Sequence, residues 1–89
     1  MISYYSILMG YKKPAYPNRL RVTRSQMNMQ QNSVAKHLGF NNAVSLNKWE
    51  NGVCLPSLEN LFKLCILYGC TGRELYPEYF EDLKRQQWF

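Results

Sequence analysis

Residues 37–61 read HLGFNNAVSLNKWENGVCLPSLENL, from His37 to Leu61. Two apolar helical patterns lie in this stretch, parted by Gly39 and the polar pair Asn41-Asn42. The second pattern, NAVSLNKWENG, takes Asn42 as a helix N-cap, turns Leu46 and Trp49 to one side and stops at Gly52. What remains for the other side is small, amide or cationic: Ala43, Val44, Ser45, Asn47 and Lys48. No acid occurs anywhere in the chain before Glu50.

The flanking sequence is helical by the same criteria. Asn18 is placed to cap a first helix with Leu20 and Met27 one heptad apart, and Asn28 suits a left-handed helix end. QQNSVAKHLG puts Val34, Ala35 and Leu38 on one face. PSLENLFKLCILYG is the longest helix, capped near Ser57, with Leu58, Leu61, Phe62, Cys65 and Ile66 as its apolar stripe. Thr71 and Glu74 form a capping box, and PEYFEDLKRQQ is acidic at its start and basic at its end. Nothing alternates as a strand does. The expected fold class is all-α, with five to six short helices: an N-terminal arm over 1–17, irregular or disordered, a helical domain over 18–77 and a C-terminal helix or tail over 78–89.

Charge divides the chain. Residues 1–49 carry Lys12, Lys13, Arg19, Arg21, Arg24, Lys36 and Lys48 against no acid, a net +7. Residues 50–89 carry six acids against Lys63, Arg73, Lys84 and Arg85, a net −2. Such a field draws a polyanion to one end of the molecule, although a basic face can also be merely solvated. The three cysteines, Cys54, Cys65 and Cys70, are odd in number, and two of them sit among apolar neighbours. They suit thiols of a reducing, cytoplasmic compartment better than a disulfide framework. MISYYSILMGYKK has its cations after its apolar part, the reverse of a secretory signal. No segment approaches the roughly 20 apolar residues of a membrane span, so no membrane partner is expected.

The second and third helices are each under about 10 residues and have to be held by neighbours. With Leu46 and Trp49 inward, the exposed side and N-terminal end of the third helix carry Asn42, Ala43, Val44, Ser45, Asn47 and Lys48. These are residue types that read base edges: Asn pairs with adenine in two places, Ser donates or accepts, and methyl groups touch thymine. A helix N-terminus also offers free N–H groups to phosphate. A small, amide-rich face without acids is what a phosphate-lined groove admits. Lys36 and Asn51 are candidate phosphate contacts.

From Asn18 to Pro77, about two-thirds of the chain, the sequence resembles the phage-repressor-like (Xre-type) helix-turn-helix family. The elements in register are Arg24, Gln31, Val34-Ala35, Leu38-Gly39, Trp49-Glu50-Asn51-Gly52, Pro56-Ser57-Leu58 and Gly69. The resemblance implies a lambda-repressor-like domain whose recognition helix covers about residues 43–50. It implies that Gln31 bonds phosphate, that Arg24 and Glu50 form a structural salt bridge, and that the protein is a homodimer on double-stranded DNA. Three features depart from the family pattern. The stretch Gly39 to Trp49 is one residue longer than in the commonest members, as in some branches of the family. The loop after Gly52 reads Val53-Cys54-Leu55 where relatives are often basic, and Gln30 stands where Ser or Thr usually caps the second helix.

Enzymatic function is not expected: there is no Ser/His/Asp set, no pair of catalytic carboxylates and no phosphate loop. Cys54, Cys65, Cys70 and His37 lack the paired spacing of zinc sites, so neither metal nor cofactor is expected. The aromatics Tyr76, Tyr79, Phe80, Trp88 and Phe89 read as core or dimer packing. Lys12 and Lys13 in the arm are candidate minor-groove contacts if the arm is functional, against passive disorder as the alternative. Two functional classes follow. One is a sequence-specific, double-stranded DNA-binding transcriptional regulator, repressor-like. The other is an adaptor or antitoxin module of the same fold that holds a protein partner, favoured by the apolar Val53-Cys54-Leu55 loop and the aromatic C-terminus.

Overall fold

The computed structural model describes residues 14–86. Helices α1 (Leu20–Gln26), α2 (Gln31–His37), α3 (Val44–Glu50), α4 (Leu58–Tyr68), α5 (Gly72–Leu75) and α6 (Pro77–Arg85) follow one another, and no strand occurs among the described residues. α1, α2 and α3 have seven residues each, too few to persist alone in water. A shared core holds them. Leu20 of α1, Val34 of α2, Leu46 and Trp49 of α3, Leu64 and Tyr68 of α4, and Leu75 of α5 are all buried together. Each fully buried Leu or Val contributes about 1.5–3 kcal/mol, more than any difference in helix propensity over so short a segment.

Local chemistry sets the breaks. α1 ends at Gln26, and just past its C-cap Asn28 has a φ of 56°, the left-handed conformation expected there, with the Met29 N–H donating back to the Arg24 carbonyl. α2 ends at Gly39, φ 89°, and the Phe40 N–H closes on the Ala35 carbonyl at 2.9 Å. A Cβ at Gly39 would meet nothing within 4 Å, so the glycine serves backbone conformation and not space. Asn18 and Asn42 cap α1 and α3 from one residue further out than the N-cap position: each Oδ1 accepts an N–H two residues on, Leu20 and Val44, at 3.0 Å. Ser57 caps α4, Thr71 and Glu74 make the reciprocal capping box of α5, and Gln30 gives α2 no side-chain cap.

Two expectations need correcting. Of the apolar stripe read on the longest helix, Leu58, Phe62 and Ile66 are exposed, at 65%, 57% and 82%. α4 is apolar nearly all round, so two stripes competed, and contact with α1–α3 selects Leu61, Leu64, Cys65 and Tyr68. Met27, the apolar residue one heptad on from Leu20, is also exposed. It sits at the C-cap, where α1 has ended.

Residues 14–17, read as part of the arm, pack on the body. The Tyr16 N–H donates to the Gly52 carbonyl at 3.1 Å, and the Tyr16 ring meets Tyr79 of α6 edge-on at 5.4 Å. Gly52 has φ 72°, and a Cβ there would lie 2.7 Å from Pro14 Cβ and 2.8 Å from the Tyr16 carbonyl oxygen. Asn18 fastens the same junction, its Nδ2 donating to the carbonyls of Tyr16 and Trp49 at 3.0 and 2.7 Å. Lys12, Lys13, Trp88 and Phe89, with the minor-groove reading of the arm, lie outside the described residues.

Candidate nucleic-acid interface

α3 presents two unlike sides because its sequence alternates at helical period. Leu46, Trp49 and Glu50 are buried, while Val44, Asn47 and Lys48 are exposed and Ser45 is half-buried. Phe40 packs edge-on to Trp49 at 5.8 Å and fixes the turn against the inner side of α3. Before α3, Asn42 is exposed and Ala43 half-buried, so all six base-contact candidates lie on or beside one accessible strip. Helix α3 begins at Val44, leaving Asn42 and Ala43 in the turn that leads into it.

Glu50 is the first acid in the chain, yet it adds no negative surface. Its side chain is 0% exposed. Arg24 grips both of its oxygens, Nε to Oε2 at 2.7 Å and Nη2 to Oε1 at 3.1 Å, and Arg24 Nη1 donates to the Met29 carbonyl at 2.9 Å. The structural salt bridge expected between Arg24 and Glu50 is therefore present. Burial pushes the Glu50 pKa up, but hydrogen bonds from Arg24 and Gln31 and the charges of Arg24 and Arg21 outweigh it and hold the carboxyl below its ordinary range. The same hydrogen bond raises the Arg24 pKa. The buried Tyr68 interacts electrostatically with the pair; its hydroxyl has no hydrogen-bond partner among the described residues, and burial pushes its pKa up to about 12.

The phosphate-contact candidates stand in different settings. Lys36 is exposed, and neither it nor Lys48 nor Arg19 has an acidic partner among the described residues. The cations after Glu50 are instead paired: Lys63 with Glu59, Arg73 and Lys84 with Glu81, and Arg85 with Asp82. Gln31 is turned inward, its Nε2 donating to Glu50 Oε1 at 2.9 Å and to Asn47 Oδ1 at 3.3 Å. Both of its amide hydrogens are thus engaged within the protein. Asn51 is exposed, and its Oδ1 accepts from Arg21 Nη2 at 2.6 Å.

Arg21 is the residue that sequence reading passed over. It bonds Glu50 Oε1 at 3.3 Å as well as Asn51, joining α1 to the C-terminal end of α3. The signal was there: Arg21 and Arg24 are three apart and share a helix face. His37 is exposed, the three cysteines are free thiols, and no group of possible metal ligands occurs among the described residues. No described helix is long and apolar enough to cross a membrane.

The family model HTH_3, described as Helix-turn-helix, matches residues 20–75, from the first residue of α1 to the last of α5. Neither a curated protein nor a solved structure gave a match to the chain. HTH_3 is a family of DNA-binding domains typical of transcription regulators and not an enzyme family. With α2, the Gly39 turn and the half-exposed α3 in the order and packing that such a domain requires, the chain belongs to the Xre/lambda-repressor-like helix-turn-helix family.

Proposed function

We propose that this protein is a sequence-specific, double-stranded DNA-binding transcriptional regulator of the repressor type, acting in the cytoplasm as a homodimer and without a cofactor. α3 lies in the major groove. Asn42, Ala43, Val44, Ser45, Asn47 and Lys48 face base edges, and Lys36 and Asn51 bond phosphates on the groove walls. Gln31 reaches a phosphate through its main-chain N–H, or by giving up one of its inward bonds. The observation that carries this reading is the accessible side of α3, which bears amides and a free lysine while the nearest acid, Glu50, is sealed behind two arginines. In a homodimer the two recognition helices enter successive major grooves roughly 34 Å apart.

The protein-binding reading has one observation in its favour. Val53, Leu58, Phe62 and Ile66 are exposed, although Cys54 and Leu55 of the same loop pack partly on the core. Selection of bound duplexes from a random pool, with native mass measurement of the complex, separates the two. Enrichment of a two-fold-related site with two protein chains per duplex is the expected result. Failure to enrich any sequence, together with stoichiometric capture of one protein, would favour the adaptor or antitoxin instead.

A further inference from the structure

A groove of about 500 Å³ runs between the loop before α4 and the α5–α6 pair. Leu55, Leu61, Tyr76, Tyr79, Phe80 and Leu83 line it, and its walls are almost wholly apolar. Arg73, at its rim, is already engaged: the guanidinium lies over the Phe80 ring at 4.8 Å and donates to Glu81 at 3.1 Å. Phe80 and Leu83 are 39% and 37% exposed, apolar surface that a covering segment would take out of water. Tyr76 is 5% exposed, yet its hydroxyl has no hydrogen-bond partner among the described residues. Buried hydroxyls are ordinarily bonded, so this one asks for a partner from outside residues 14–86.

The described chain begins at the lip of this groove. The Tyr16 ring meets Tyr79, a lining residue, edge-on at 5.4 Å. Upstream, residues 2–9 read ISYYSILM, with no charge and six apolar or aromatic side chains. We propose that residues 2–9 of the same chain occupy the groove and finish the core between α4 and α6. The length suffices. Residues 10–13 bridge up to about 13 Å when extended, whereas Tyr79 to Leu83 covers only about 6 Å along α6. Ser3, Tyr4, Tyr5, Ser6 and the main chain beside them supply partners for the Tyr76 hydroxyl. Lys12 and Lys13 suit the rim, where Glu78, next to Tyr79, is exposed without a cationic partner among the described residues. The C-terminal residues Gln87, Trp88 and Phe89 are the poorer occupant, because they follow α6 beyond Leu83 and would have to double back along it. The proposal does not depend on DNA binding.

The test uses the full chain with labelled methyl groups. Nuclear Overhauser contacts should link Ile2, Ile7, Leu8 or Met9 to Leu61, Leu83 and the Phe80 ring. In an equal mixture of labelled and unlabelled chains, isotope-filtered spectra should show none of these contacts between chains. Ile7→Asp combined with Leu8→Asp should abolish them, move the Leu61 and Leu83 methyl resonances and lower Tm by more than about 4 °C. Absence of any contact from residues 2–9 to the groove in the unaltered protein would overturn the proposal, whether or not the variant folds. Contacts found only between chains would overturn it too, giving the groove to a second copy, as would contacts from Trp88 or Phe89, giving it to the tail.

Discussion

Arg24 and Glu50 meet through two parallel contacts, at 2.7 and 3.1 Å, across the gap between α1 and α3. The pair ties α1 to α3 and keeps the one acid of the first fifty residues off the surface. Removing one member strands the other. Arg24→Met is expected to destabilise the domain by about 3 kcal/mol, and Glu50→Met by a similar amount. The double substitution should fall well short of the sum, since two matched apolar groups leave no orphaned charge. Urea unfolding of the four proteins measures this, and strict additivity would show that the two side chains do not depend on each other.

Acid should weaken the fold through Glu50. Its folded pKa lies below the ordinary 4.5, so the unfolded chain binds the proton more readily. The stability it contributes is fully present above about 4.5 and is lost as pH falls through the lower, folded value. Glu74 shifts the same way, first through its bond with the Thr71 main chain and then through the Thr71 side chain. Unfolding free energy measured from pH 7 downward should be flat, then decline below the ordinary carboxylate range. In Glu50→Met the decline should be shallower. An equal decline would assign it to other acids.

Gly52 holds the junction between the start of the described chain and the end of α3. Gly52→Ala has to push back Pro14 and the Tyr16 carbonyl while holding φ at +72°, and should destabilise by roughly 2 kcal/mol. For a domain of this size that lowers Tm by roughly 8–16 °C. Gly39→Ala meets no neighbour and should be milder, a consequence of φ alone. Thermal unfolding of both orders the two effects, and the reverse order would mean that residues 14–16 do not lie on Gly52.

The outward stripe of α4 is dispensable for folding. Ile66→Lys, at a position 82% exposed, should change stability by no more than about 0.5 kcal/mol, whereas Leu64→Ala, at 0%, should cost about 2–5 kcal/mol. A large loss from Ile66→Lys at concentrations where the protein self-associates would instead mark that face as the homodimer contact.

Much of this was legible from one chain because local chemistry agreed with the fold. Asn28, Gly39, Ser57 and the Thr71–Glu74 box each sit where a helix end requires that residue type, and each does so in the structure. Leu46 and Trp49 were readable as the inner side of α3 because its other positions are polar or small. α4 was not readable in the same way: apolar residues surround it, so periodicity could not choose between stripes. Polar partnerships across the fold were the hardest to foresee. That Gln31 faces Glu50 and Asn47, and that Arg21 reaches Asn51, depends on how three short helices cross, and spacing along the sequence carries no record of that.

The exposed side of α3 as the reader of DNA is tested most directly by Asn47→Ala combined with Lys48→Ala, two substitutions outside the core. Fluorescence anisotropy on a selected duplex should show affinity falling roughly 10- to 100-fold, from one lost base contact and one lost cation. The slope of log affinity against log salt should become shallower by about 0.9 if Lys48 meets a phosphate. Unchanged affinity and slope in a folded double variant would contradict the placement of α3 in the groove.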